Sequence, residues 1–402
     1  MHKVDVCIVG AGPAGSALGV LLASKGVKVA ILERETEIRP IERGALIQPG
    51  TLPLFHKMGI LDKLEKYSFP IEGIETYGNR GRHIITISYK EIRGPFQYGL
   101  AVNYYLLQRF LLEKANEYSS FRLFLGAEVL SITKNEKGKV VGLKAKIGKE
   151  EVEFEADLVV AADGRNSVVR RMAGIDTIKW DFDHQHIMLM VERPDNWPSM
   201  LRLYRDVGKY IIIAPVTDQK MRVLYAIPSG TFDQVKEEGL STFIEKITET
   251  VPDLRDSLKK LKTWDHVMLH TFRCGIAEKW VDDGILLLGD SAHSIHAFGA
   301  QGMNFSIQDA IVATPVIIRA IEKGVVTREN LLFYEEERKP YITKFAQRQA
   351  KTTMTQLQSK KGVVLTQRIL RILRLFKPYR VFFAEMVAFG PRKSIERALQ
   401  EI

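Results

Sequence analysis

The chain has 402 residues, of which 46% are hydrophobic and 26% are charged, as is typical of a globular protein with a substantial core. This length predicts two closely joined domains, and the formal net charge of +10 favours anionic ligands. The two cysteines, Cys7 and Cys274, are too few for a disulfide framework or a cysteine metal cluster, so we expect a cytoplasmic location.

The first predicted elements are a strand, a glycine-rich turn, a helix and a second strand. Residues 4–9 are mostly apolar, a helical pattern runs to about Lys25, and a second apolar run over 28–32 ends at Glu33. In a dinucleotide site, the glycines of such a turn allow a tight bend, a close approach to the pyrophosphate and close packing of the helix on the strand. An acid after the second strand can bind ribose hydroxyls. The contacts predicted from this region are Gly10, Gly12, Pro13, Ala14, Gly15, Glu33 and Arg34.

Two later segments place an acidic residue between a buried strand and a loop of small residues. Residues 156–160 lead to Asp163 and Gly164, and residues 284–288 lead to Asp290. A carboxylate at the end of a strand is suited to accept hydrogen bonds from the hydroxyl groups of a ligand. The first turn does not distinguish FAD from NAD by itself, so these later motifs must do so.

With these three motifs in matching order, the chain resembles the class A flavoprotein monooxygenases, a single-component group that includes para-hydroxybenzoate hydroxylase and the ubiquinone-biosynthesis hydroxylases. The resemblance extends from Val4 to about Tyr341. It implies an FAD-binding protein in which Asp163 and Gly164 touch the FAD pyrophosphate and Asp290 binds the ribityl chain.

The resemblance also implies contacts with the flavin phosphates and with the isoalloxazine ring. Arg43 matches an arginine near the phosphates, and Gln108 or Arg109 is the candidate where many members have an arginine before the same helix. The residues implied beside the ring are Gly299, Gly302, Met303 and Asn304. A glycine-rich segment that opens a helix presents N–H groups, which would stabilise the negative charge of a reduced flavin. Members often have proline where this chain has Ala297 and glycine where it has Ala300.

The activity implied by the resemblance is hydroxylation of an aromatic or otherwise electron-rich substrate, with a lipophilic substrate as one option. NADH or NADPH would reduce the FAD, and dioxygen would form a flavin C4a-hydroperoxide. The sequence does not assign a catalytic residue. One alternative is a flavoprotein similar to the geranylgeranyl reductases, which reduce isoprenoid double bonds. Another is a flavin-carrying interaction protein that docks through basic C-terminal helices.

The fold class predicted from these patterns is α/β, with a discontinuous Rossmann-like FAD-binding domain, an inserted, mostly antiparallel β-sheet substrate domain and C-terminal helices. The FAD-binding domain is assigned to residues 1–72, 98–178 and 272–345, and the C-terminal helical segment to residues 346–402. The substrate domain is assigned to residues 73–97 and 179–271, where apolar and polar residues alternate.

The C-terminal segment combines an apolar and a basic pattern. Apolar residues recur at helical spacing from Leu365 to Phe376, Arg368 and Arg371 lie between them, and Pro378 ends the helix. The apolar face predicts either packing on the protein's own core or peripheral contact with a membrane.

Metal and nucleic-acid partners are not expected. His293 and His296 are three residues apart, but no further ligand accompanies them at suitable spacing, so we predict no metal site. The basic residues are spread along the chain, and no nucleic-acid-binding motif is present in the sequence.

Overall fold

The computed structural model describes residues 1–40, 44–78, 81–297, 299–351, 359–390 and 392–402. The strands are β1 (His2–Val9), β2 (Val29–Glu33), β3 (Gly44–Ile47), β4 (Phe69–Ile71), β5 (Gly73–Gly78), β6 (Arg82–Ser88), β7 (Gly99–Asn103), β8 (Phe121–Leu125), β9 (Ala127–Lys134), β10 (Val140–Ile147), β11 (Glu150–Ala161), β12 (Thr177–Glu192), β13 (Leu201–Asp206), β14 (Lys209–Pro215), β15 (Lys220–Pro228), β16 (Val267–Ala277), β17 (Val281–Asp282), β18 (Ile285–Leu287) and β19 (His293–Ser294). The α-helices are α1 (Pro13–Ala23), α2 (Leu52–Lys57), α3 (Leu61–Lys66), α4 (Tyr104–Ala115), α5 (Val168–Met172), α6 (Phe232–Glu237), α7 (Leu240–Thr248), α8 (Arg255–Lys259), α9 (Gly302–Glu322), α10 (Arg328–Ala350), α11 (Lys360–Leu373), α12 (Lys377–Phe389) and α13 (Arg392–Glu401).

The first sheet forms the Rossmann-like part of the fold. Its strands follow the order β17-β18-β11-β1-β2-β8, while β9 and β10 extend it beside β11. Strands β18, β11, β1, β2 and β8 run parallel to one another, and Cys7, Ile31 and Leu158 within them are fully buried. Such burial on both faces is the usual condition of parallel strands and explains their continuous apolar runs. Helices α1, α4 and α9 pack together over this sheet.

The second sheet has the order β19-β16-β12-β15-β14-β13-β5-β6 and is antiparallel except where β13 pairs with β5. One face forms an apolar core with α7 and α8 that contains Leu189, Ile213 and Phe243. The predicted fold class, a discontinuous α/β domain with an inserted, mostly antiparallel sheet, is confirmed. Strands β12 and β16 run through the predicted domain boundaries near residues 178 and 271, and the boundaries themselves stay a prediction.

The C-terminal helices α11 and α12 cover the β5–β6 hairpin. They pack against β6, where Ile85, Ile87, Ala384 and Ala388 share a small apolar core. No helix in the described ranges is both long enough and apolar enough to cross a membrane.

Helix α11 does not bury the apolar face that the sequence pattern emphasises. It buries Val363 and Gln367, whereas Leu365 is 60% exposed and Ile372 is 59% exposed. The alternative that this face packs on the protein's own core is therefore wrong for these residues. Helical spacing shows that a helix has an apolar stripe but not which neighbour covers it.

Candidate active site

The strands that precede the predicted cofactor loops end side by side. Val9 pairs with Ala161, and Ala161 pairs with Leu287, so β1, β11 and β18 deliver their loops to one edge of the first sheet. Ligands of open α/β sheets bind outside this carboxyl edge.

The glycine-rich turn is shaped by close backbone contacts. Gly10 has a φ of 104°, and a Cβ added to it would lie 2.5 Å from the carbonyl oxygen of Ala162. A Cβ added to Gly15 would lie 2.1 Å from the carbonyl oxygen of Gly10. The N-cap residue of α1, Gly12, has no side chain to cap the helix, so the first N–H groups of α1 are available to an anion such as a phosphate. The turn residues that line the adjoining cavity are Gly12, Pro13 and Ala14.

Two other predicted contacts hold this turn in place. Oε2 of Glu33 accepts a hydrogen bond from the N–H of Ala11 at 2.9 Å, and Nε2 of Gln108 donates to the carbonyl oxygen of Ala11 at 2.7 Å. The side chain of Arg34 is 81% exposed and is not brought to the turn. Arg43 lies outside the described residues.

The Asp163 motif is held to the Asp290 motif. Oδ2 of Asp163 accepts a hydrogen bond from the N–H of Val168 at 2.7 Å at the start of α5, and Gly164 lines the cavity. Nη1 of Arg170, within α5, donates to the carbonyl oxygen of Ser291 at 2.6 Å. The structure thus brings the two acidic motifs together.

Asp290 faces the cavity above a buried ionic network. Its carboxylate makes no hydrogen bond to another described residue, which leaves both oxygens for a ligand. Below it, Oδ2 of Asp309 lies 2.5 Å from Nε2 of His293, and Oδ1 lies 2.7 Å from Nε of Arg338. All three side chains are fully buried. The sequence analysis missed this network because its members are far apart in the chain.

The loop before α9 approaches the same cavity. The loop residues that line it are Gly299, Gly302 and Met303. Asn304 is fully buried and bonded to protein instead: its Oδ1 accepts from the N–H of Gln48 and its Nδ2 donates to the carbonyl oxygen of Leu46, both at 2.8 Å. Its side chain therefore positions the loop and does not face the cavity.

Ala300 adopts a conformation that favours glycine. Its φ of 51° is the one positive φ of a non-glycine residue in the described chain. This conformation costs an L-residue about 1–2 kcal/mol, which gives a physical reason for the glycine that the family resemblance implies at this position.

The cavity lies between these loops and the second sheet. Its volume is about 1550 Å³, whereas pockets for a single small molecule usually measure about 300–1,000 Å³. The side chains that the second sheet contributes are mainly apolar and aromatic: Met188, Met190, Leu203, Tyr210, Ile212, Leu224, Met268, His270 and Phe272. The cavity is thus large enough for a dinucleotide and a second molecule.

A buried histidine cluster adjoins the cofactor side of the cavity. The ring nitrogens of His184, His186 and His296 come within 4.8 Å of one another, and the ring of Phe272 lies 4.2 Å from that of His296. Burial lowers the pKa of His186 to about 3 and that of His296 to about 2, so both imidazoles are neutral near pH 7. The sequence analysis missed this cluster, although alternate positions such as 184 and 186 share one face of a strand. The absence of a bound metal stays a prediction.

Comparison with known proteins gives matches over most of the chain. Residues 3–349 match the family model described as FAD binding domain. Over 339 residues, the chain is 30% identical to 6-methylpretetramide 4-monooxygenase of Streptomyces rimosus, covering 84% of this chain and 80% of that protein. It is 26% identical to protoasukamycin 4-monooxygenase of Streptomyces nodosus subsp. asukaensis, covering 85% of each protein.

A solved structure has the same fold. The complex of P. aeruginosa PqsL with 2-aminobenzoylacetate matches with a TM-score of 0.80 and 19% identity, covering 90% of this chain and 98% of that one.

Proposed function

The chain belongs to the FAD-binding-domain family of class A flavoprotein monooxygenases, and on that premise we propose that it hydroxylates an extended aromatic substrate held between the cofactor loops and the second sheet. FAD is its cofactor, and NADH or NADPH and dioxygen are its co-substrates. The observation that carries the proposal is the shared cavity, because its lining includes Asp290 and Gly302 on the cofactor side and Ile212 and Leu224 on the sheet side.

The residues of this chain would bind, orient and shield the reactants. The turn over residues 10–15 would bind the pyrophosphate, and Asp290 would accept hydrogen bonds from the ribityl chain. Bound FAD supplies hydride acceptance and oxygen activation. The N–H groups at the start of α9 would stabilise negative charge on the reduced ring, and the apolar lining would exclude water. With a pKa of about 2, His296 would serve as a hydrogen-bond partner of a ring hydroxyl but not as a proton store.

The alternatives have less support. The relatives at 30% and 26% identity are both named monooxygenases. A reductase of isoprenoid double bonds or a flavin protein without turnover would place no oxygen from dioxygen in a product.

Isotope labelling tests the activity directly. The purified protein should release noncovalent FAD on denaturation, and an aromatic substrate should accelerate oxidation of NADH or NADPH. With ¹⁸O₂, the product should carry one ¹⁸O atom per molecule. Product without the label, or formation of product without oxygen, would exclude the proposed function.

Asp290→Ala is expected to weaken FAD binding by about ten- to a hundredfold, because ribityl hydroxyl groups would lose a charged hydrogen-bond acceptor. Titration of the apoprotein with FAD, followed by fluorescence quenching, measures the change. Asp157→Ala is the matched control, since Asp157 is exposed in β11 of the same sheet. Equal affinity in the Asp290 and Asp157 variants would remove Asp290 from the site.

We further propose that α11 and α12 contact an anionic membrane surface and admit a lipophilic substrate. Leu365, Ile372 and Phe376 are 60%, 59% and 56% exposed, and Arg368 and Arg371 accompany them. On their inner side, the same helices line the cavity with Leu370, Tyr379 and Phe383. Apolar insertion and basic residues together favour peripheral binding.

Cosedimentation with anionic vesicles tests the membrane contact. We expect binding at low salt that weakens at high salt, and Arg368→Gln/Arg371→Gln should reduce the partition coefficient about 30-fold, from about 1 kcal/mol for each basic residue. Lys134→Gln/Lys137→Gln, in the exposed β9–β10 hairpin, is the control. Lack of binding at low salt would contradict the contact and leave the oxygenase proposal unaffected.

A further inference from the structure

The cavity face of the second sheet is divided into rows by strand register. Along β13, Leu201, Leu203 and Arg205 alternate with residues of the opposite face and line the cavity. On β14, Tyr210 and Ile212 do the same. Side chains that are paired on adjacent strands therefore form rows that run across the sheet.

One of these rows is polar. His270 pairs with His186, His186 pairs with Ala226, and Tyr210 pairs with Arg205. On β15, Ala226 packs with Tyr210 and continues the row from His186 to Tyr210. We call His270, His186, Tyr210 and Arg205 the polar row.

The row beside the polar row is apolar. Met188 pairs with Leu224, Leu224 pairs with Ile212, and Ile212 pairs with Leu203. A flat molecule lying on this face would thus contact methyl and thioether groups along its plane and, along one edge, the members of the polar row that line the cavity, His270, Tyr210 and Arg205. This pattern suits a ring system that carries polar groups on one side.

Arg205 ends the polar row with an uncompensated charge. Its Nε is buried and has no hydrogen-bond partner, and its guanidinium forms no ion pair within the described ranges. Arg202, three residues earlier on the opposite face, has carboxylate partners instead: Glu75 at 2.9 Å and Asp253 at 3.1 Å. The positive charge of Arg205 lies near Tyr210, where it opposes the effect of burial on the pKa of that phenol.

A partly buried guanidinium without a partner is costly unless a ligand supplies an anion. Its planar set of N–H donors matches a carboxylate, which can accept two parallel hydrogen bonds. Toward the other end of the row, the ring of His186 lies 5.5 Å from that of His296, which lines the cavity beside the cofactor loops.

We propose that Arg205 binds a carboxylate of the substrate, so that the substrate is an extended aromatic acid oxygenated at the end opposite its carboxylate. Three strand spacings separate His186 on β12 from Arg205 on β13, which places these two residues about 14 Å apart. The inference rests on the proposed function for the identity of the reacting end, whereas recognition of the carboxylate depends on Arg205 alone.

Calorimetric titration of the FAD-loaded protein tests this inference without turnover. The probes are 6-hydroxy-2-naphthoate and 4′-hydroxybiphenyl-4-carboxylate, each compared with its primary amide. The wild-type protein should bind at least one acid about tenfold or more tightly than its amide, as expected for loss of a charge-assisted hydrogen bond. Arg205→Gln should abolish this preference, Arg205→Lys should retain part of it, and Arg255→Gln, at an exposed position, should leave it unchanged.

The comparison of acid and amide in the wild-type protein needs no variant to fold. If neither acid binds more tightly than its amide, or if Arg205→Gln keeps the preference, the inference is wrong. The ¹⁸O₂ experiment is independent of this result, so a protein that oxygenates but shows no preference for acids would overturn this inference alone.

Discussion

Substituting Gly15 by alanine is expected to yield a destabilised protein that purifies without FAD. The added Cβ would lie 2.1 Å from the carbonyl oxygen of Gly10 and 3.1 Å from Cβ of Ala162. Because the closest of these atoms belongs to backbone, α1 would have to move away from the sheet. Overpacking of this kind costs about 1–3 kcal/mol or more, and the displaced N-terminus of α1 would lose its phosphate contacts. Thermal unfolding and flavin absorbance measure the two effects.

Gly12→Ala separates the ligand contact from the packing contact. Its φ is −64°, and the nearest atom to an added Cβ is Oη of Tyr104 at 3.4 Å. We therefore expect stability close to that of the wild type but FAD binding weakened by at least about tenfold, because the new methyl group would lie where the backbone approaches the pyrophosphate. Wild-type stability and flavin content in Gly15→Ala would contradict the packing argument.

Asp309→Ala is expected to cost the most stability of the substitutions considered, about 3–5 kcal/mol. Burial alone would raise the pKa of Asp309, but the charges of His293 and Arg338 hold that pKa below its usual value. Without the carboxylate, the fully buried guanidinium of Arg338 loses its counter-charge. Urea unfolding at neutral pH measures the change in the free energy of unfolding.

A double variant distinguishes the loss of the ion pair from the loss of loop position. Asp309→Leu/Arg338→Met should recover much of the lost stability, because apolar residues of similar size can replace a buried ion pair. FAD affinity should stay low, since Asp309 also accepts a hydrogen bond from the N–H of Gly289 at 3.2 Å, directly before Asp290. Asp256→Ala, at a side chain that is 95% exposed, should change stability by no more than about 0.5 kcal/mol. Equal stability of the Asp309 and Asp256 single variants would show that the buried network contributes little.

The cofactor loops could be located from the sequence because each is a local pattern. Gly10, Asp163 and Asp290 all follow short apolar runs, and the parallel arrangement of β1, β11 and β18 brings such strand ends to one edge. The same patterns did not show which side chains of a loop face the ligand. Arg34 is exposed and Asn304 is bonded to protein, because neighbours from distant segments determine those orientations.

The sequence by itself determined the order of strands, turns and helices, the family and the position of the cofactor loops, since these depend on residues that are near one another in the chain. The tertiary structure alone decided which distant residues meet. Strand register aligned His186 with His270 and Tyr210 with Arg205, and helix packing brought Arg338 to Asp309. The packing of α11 also left Leu365 exposed, while it buried Gln367 on the same helix. Such pairings depend on how separate elements pack, and no short segment of the chain carries that information.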